Sequence, residues 1–312
     1  MKRYFKFLTA IVLASFLMLL TACGNTTLSV DGFYWFENAS SFPTNFVETL
    51  TYDVSVSHTT PSDSTELKLD GYSLNIEEGV YTTTLKTISG TNERYEYVTE
   101  LKLRGSYVTP TETKEFFDTF TTTTKFLKDL TPVSSKKEYA SELSSYAYEY
   151  EVSYDNGNAN CTLTEFIGTA NENTSTFEFN KLNEKAYIDN DLILLYGRLF
   201  NYNASYAQTF YTVDVLSKKV HEMTYRAGIS GESLDVKSLD NYSINGVTPT
   251  EAKVNCVRVG VSINDTFSGS SIEAYYATNH QTDRHRLVET YTRITGGMGY
   301  LKYSLKSAQI TN

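Results

Sequence analysis

The chain has 312 residues, 27 basic and 37 acidic side chains, and a formal charge of −10 at neutral pH. An acidic body excludes nucleic acid as an expected partner and is repelled by anionic headgroups, so membrane contact has to come through something other than a basic patch. At 40% hydrophobic residues the chain is not disordered as a whole, and its 25 tyrosines beside only five prolines favour half-buried pleated strands over helices.

Lys2, Arg3 and Lys6 precede an uncharged, mostly apolar run over residues 7–20, the layout of a secretory signal with its positive end kept inside. That run has 14 residues, short of the roughly 20 a membrane span needs. Leu20-Thr21-Ala22-Cys23 follows it. These four residues resemble the lipobox of a bacterial lipoprotein, with small residues before the scissile bond and a thiol directly after it as nucleophile for a diacylglyceryl group. The resemblance implies removal of residues 1–22, lipidation of Cys23, a tether over 23–45, and a single body over 46–312 on the extracytoplasmic side of the cell membrane. Losing three basic residues with the signal moves the formal charge to −13. In the tether, Phe33-Tyr34-Trp35-Phe36 reads either as a membrane-interface or sugar-stacking cluster or as a plug folded back on the body.

From Thr51 the period is two: Tyr52, Val54 and Val56 alternate with Asp53, Ser55 and Ser57, giving one apolar and one polar face. Leu67 and Leu69 keep that period and Tyr72, Leu74 and Ile76 fall out of phase with them, so a bulge or tight turn is expected at Asp70-Gly71. Glu77-Glu78-Gly79 reads as the next turn. Over 93–107, Tyr95, Tyr97, Thr99, Leu101, Leu103 and Tyr107 share one face against a charged one. The Thr-rich run 114–127 reads as a strand, although Phe116, Phe117 and Phe120 also fit a helix, and Ser134-Ser135-Lys136-Lys137 reads as a loop. The clearest hairpin comes next. Tyr146, Tyr148, Tyr150, Val152 and Tyr154 line one face, and Asn156-Gly157 supplies the positive φ angles of a two-residue turn.

One principal helix is expected over 189–201, with Leu192, Leu195, Tyr196 and Leu199 on one stripe and Asp189 or Asn190 as cap. Gly197 costs it about 1 kcal/mol. Strands resume from Gln208, and Gly296-Gly297-Met298-Gly299 lies between two of them as a hairpin loop. Cys161 and Cys256 either pair across a loop of about 100 residues, worth roughly 4.7 kcal/mol in the chain-entropy model, or stay free and buried.

No P-loop, G-x-S-x-G, H-E-x-x-H or C-x-x-C occurs, and the four histidines are scattered, so neither cofactor nor metal nor enzymatic activity is expected. A Ser/His/Asp site assembled in space needs no fixed order and stays open.

Over 46–308 the chain resembles the unclosed half β-barrels of bacterial envelope proteins, the LolA/LolB/LppX type. The residues that carry the likeness are 50–56, the loop 130–137, Asp189-Asn190-Asp191-Leu192 with Arg198, Ala274-Tyr275-Tyr276-Ala277, Arg284-His285-Arg286-Leu287-Val288 and 301–307. The likeness implies a large bent antiparallel sheet partly wrapping one principal α-helix, with an apolar concave face. On that face Tyr95, Tyr97, Leu101, Tyr148 and Tyr150, with Leu195 and Leu199 from the helix, enclose either a groove for a lipid or lipidated partner or a packed core. The alternative function is structural or adhesive, recognising glycan or protein through exposed aromatics.

Overall fold

A computed structural model describes residues 45–88, 94–127, 130–199, 206–227, 235–238, 242–248, 253–263, 272–278, 285–294 and 296–311. The signal, Cys23 and the aromatic tether lie outside the described residues. The strands are β1 (Val47–Ser57), β2 (Ser73–Thr87), β3 (Arg94–Val108), β4 (Thr113–Leu127), β5 (Pro132–Ser141), β6 (Tyr148–Asp155), β7 (Asn158–Glu165) and β8 (Asn173–Phe179). After the helical segment come β9 (Tyr206–Asp214), β10 (Lys219–Ala227), β11 (Asp235–Ser238), β12 (Ser243–Ile244), β13 (Lys253–Ile263), β14 (Ile272–Ala277), β15 (Leu287–Arg293) and β16 (Tyr300–Thr311).

They form one sheet in the order β8-β7-β6-β5-β4-β3-β2-β1-β16-β15-β14-β13-β10-β9, with β11 beside β13 and β12 beside β16. All pairings are antiparallel except that of β12 with β16. The sheet curls into a nearly closed barrel shape around the helical segment. Long strands carry a right-handed twist, and register shifts at Thr51/Tyr52, Ile76/Glu78, Lys125/Phe126 and Tyr275/Tyr276 bend them.

Several local expectations change. Glu77-Glu78-Gly79 is not a turn. It lies inside β2 at a bulge, which lets the polar pair stay outward while Leu74 and Tyr81 point in. Residues 132–141, expected as a loop at Ser134-Ser135-Lys136-Lys137, form the interior strand β5, because an inward Lys137 meets a buried carboxylate there. Leu67 and Leu69 sit in an irregular stretch, and Tyr72 closes back on Leu69 with Gly71 at φ 77°. The run 113–127 is strand throughout. Asn156 and Gly157 take φ of 49° and 79°, the left-handed pair that the two-residue hairpin requires.

The helix is shorter than expected. A 3-10 turn over Asn190–Leu192 leads into α1 (Ile193–Tyr196) and a second 3-10 turn over Gly197–Leu199. This segment lies within the curl of the sheet, and Ile193, Leu194, Leu195 and Tyr196 are all buried. Gly197 has a packing reason: a Cβ there would lie 2.0 Å from the Tyr225 hydroxyl and 2.2 Å from Cζ of Tyr276. No other residue permits that approach, which outweighs the helix propensity an alanine would add.

Candidate functional site

The inner face is a packed core. Tyr95, Tyr97, Leu101, Tyr148, Tyr150, Leu195 and Leu199 are each 0 to 7% exposed. Tyr95, Tyr97, Leu101, Leu195 and Leu199 belong to one apolar cluster, while Tyr148 and Tyr150 belong to a second that also takes in Val213 of β9 and Val215 just after it. The seven side chains are thus divided between two apolar clusters that adjoin at Phe120. Cys161 and Cys256 are buried and not joined by a disulfide. Burial pushes the Cys161 thiol up to about 12, with Asp189 adding to the rise.

Two charged groups inside the curl hold the helical segment, and sequence reading missed both as a set. At one end Arg198 Nη1 is 2.6 Å from Glu48 Oε1, and Arg286 Nε donates to Glu48 Oε2 at 3.1 Å. All three residues are 1 to 3% exposed. Burial raises the Glu48 pKa, but Arg198 and then Arg286 outweigh it and hold the carboxyl below its usual range. At the other end Lys137 Nζ is 2.7 Å from Asp191 Oδ1, and Tyr154 donates to Asp189 Oδ2 at 2.7 Å. Thr83, Thr99, Thr122 and Lys137 stand in register across β2 to β5, so a polar row crosses the inner face. Threonines on both faces of β4 hide that row from any period-two pattern.

Burial raises Asp189 to about 6, with Asp191 adding to it. A carboxyl raised in the folded state binds more protons than in the unfolded chain between about pH 4 and 6, so its ionisation removes stability as pH rises through that window. Asp189→Asn is therefore expected to lose this component. The stability difference, variant minus native, should grow in the variant's favour from pH 4 to pH 6.5, read by urea unfolding at each pH. A difference that is flat across the window contradicts the buried-carboxyl account.

A Ser/His/Asp gathering exists, but in the wrong order for nucleophilic catalysis. His221 Nε2 is 3.8 Å from Asp214 Oδ2, and the Ser217 hydroxyl donates to the same carboxylate. Activation needs the imidazole between hydroxyl and carboxylate, whereas here the carboxylate lies between the other two. Among the described residues no three His, Cys, Asp or Glu side chains could hold a metal ion.

Among the described residues a concavity lies on the outer face. A groove of about 790 Å³ crosses β4 to β8. The strand registers resolve it into two transverse rows, Thr123-Lys136-Glu151-Thr162-Thr176 and Lys125-Ser134-Ser153-Asn160-Glu178. The second row has small side chains in its middle, a lysine at one end and a glutamate at the other. Four strand spacings separate those ends, about 19 Å. Lys136 is already engaged by Glu138, Glu149 and Glu151 at 2.9, 3.3 and 3.8 Å, which leaves Lys125 as the groove's available cation among the described residues. Aromatics contribute little: among the described residues Tyr72, at 39%, is the exposed one and lies outside the groove, whose one aromatic is the half-buried Phe177.

No family model matches the chain, and no curated protein matches it. A solved structure similar to it is a beta-barrel-like protein of domain of unknown function DUF1849 from Brucella abortus, with a TM-score of 0.51 at 12% identity, over 85% of this chain and 98% of that one. The likeness shows the fold.

Proposed function

We propose that this chain is a membrane-tethered extracytoplasmic lipoprotein, non-enzymatic, whose rigid body binds a polar ligand on its outer face. The observation that carries the reading is the pair of polar rows across β4 to β8, set beside an inner face occupied by the chain's own side chains. Binding of a lipid or lipidated partner at Tyr95, Tyr97, Leu101, Tyr148, Tyr150, Leu195 and Leu199 would require that core to open. The outer groove requires no such rearrangement.

Anchoring rests on Cys23. Each buried CH₂ contributes about 0.8 kcal/mol and a diacylglyceryl group supplies two chains, enough for stable attachment without a spanning helix. Cys23→Ser is expected to abolish incorporation of a labelled fatty acid and to release the chain from membranes or stall its processing. A serine variant that is processed normally and still fractionates with membranes would overturn the lipoprotein reading.

A further inference from the structure

The two terminal strands of the sheet are treated differently. The free edge of β9 is covered: Tyr211 donates its amide to the Ala186 carbonyl at 2.7 Å, and the Ile188 amide donates to the Tyr211 carbonyl at 3.0 Å. Among the described residues β8 pairs only with β7. Its seven residues NTSTFEF hold no lysine and no proline and its register against β7 is unbroken, so Glu178 is the one charge on the strand itself.

The hairpin fixes which groups are left over. Asn156-Gly157 is a two-residue loop, so Asp155 and Asn158 face each other as its closing hydrogen-bonded pair. Alternation along an antiparallel ladder then turns Asn158, Asn160, Thr162 and Thr164 toward β6 and Ala159, Cys161, Leu163 and Glu165 toward β8. Their β8 partners are Phe179, Phe177, Ser175 and Asn173. The backbone N–H and C=O groups of Thr174, Thr176 and Glu178 therefore point off the sheet.

We propose that the β8 edge is an acceptor site for one extended peptide strand, recognised through these backbone groups. The site uses the sheet edge and not the groove, so it stands apart from the polar-ligand reading. A single strand fits better than the sheet of a second copy because the sheet curls back on itself here. Lys218, in the turn between β9 and β10, reaches across with Nζ 3.4 Å from Ser175 Oγ and 4.7 Å from the centre of the Phe177 ring. A second sheet continued past β8 would run into that turn, whereas one strand needs only the exposed Lys218 side chain to swing aside. Alternation along β8 sets the partner's pattern: apolar residues beside Phe177, polar ones beside Thr174 and Thr176, and a basic residue beside Glu178.

The probe is an acetylated, amidated heptapeptide of alternating valine and threonine with one terminal lysine, added to the detergent-solubilised full chain. Saturable binding is expected, with slowed amide exchange at Thr174, Thr176 and Glu178. Thr176→Pro removes an edge donor without touching the β7 ladder and should weaken binding at least about tenfold, while Thr176→Val, which keeps the amide, should stay within about twofold. If the proline variant does not fold, exchange in the unaltered protein decides alone. Absent binding, protection elsewhere, an unaffected proline variant, or edge protection that rises with protein concentration without peptide would each overturn the proposal, the last by making the occupant a second copy.

Discussion

Glu48→Ala is expected to destabilise the body by about 3 to 5 kcal/mol, because it leaves two guanidiniums buried without their carboxylate. Glu48 is 1% exposed and bridges Arg198 of the inner segment to Arg286 beside β15. The asymmetry of the cluster makes a second expectation. Among the described residues one carboxylate meets two guanidiniums here, so Arg198→Met leaves a one-to-one pair and should cost less than Glu48→Ala. Denaturant unfolding of the two purified variants gives the comparison. Equal or reversed costs would mean that the segment is held by apolar packing and not by this charge set.

Tyr148 provides the other large effect. It is fully buried between Tyr139 and Tyr150, with ring centres 5.3 and 6.3 Å away. Truncating a large aromatic in a filled core costs about 3 to 5 kcal/mol, so Tyr148→Ala should lose that much. Its hydroxyl has no hydrogen-bond partner among the described residues, and an unpaired buried hydroxyl is itself unfavourable. Tyr148→Phe is accordingly expected to be neutral or stabilising by about 1 kcal/mol. The pair separates a core from a lined cavity: in a cavity open to a ligand, the alanine variant would unfold close to the native midpoint.

The strand faces of this protein were legible because burial selects one side of a pleat. Tyr95, Tyr97, Thr99, Leu101, Leu103 and Tyr107 alternate in sequence and all lie buried in the structure. The Asn156-Gly157 turn was legible for a different reason, since few residues accept two consecutive positive φ angles. What stayed hidden depends on partners far along the chain. Lys137 looks like a loop lysine until Asp191, 54 positions later, is placed against it. Glu48, Arg198 and Arg286 are unremarkable surface residues by pattern, and only the curl of the sheet brings them together. The outer groove escaped notice because serines, threonines and single charges on a wet strand face look the same whether that face is convex or concave. Gly197 was read as a helix weakness, and its cause is the pair of tyrosine rings that occupy the space of a side chain.

If the interior is filled by the chain itself and recognition belongs to its outer surface, as proposed, the body takes up no lipid. Native mass spectrometry of the protein extracted from membranes, before and after adding a fatty acid, tests it most directly. The expected mass is that of the chain from Cys23 with its covalent lipid and nothing further, unchanged by the added acid. A stoichiometric, non-covalently held lipid that survives detergent removal, or saturable uptake of the added fatty acid, would contradict it.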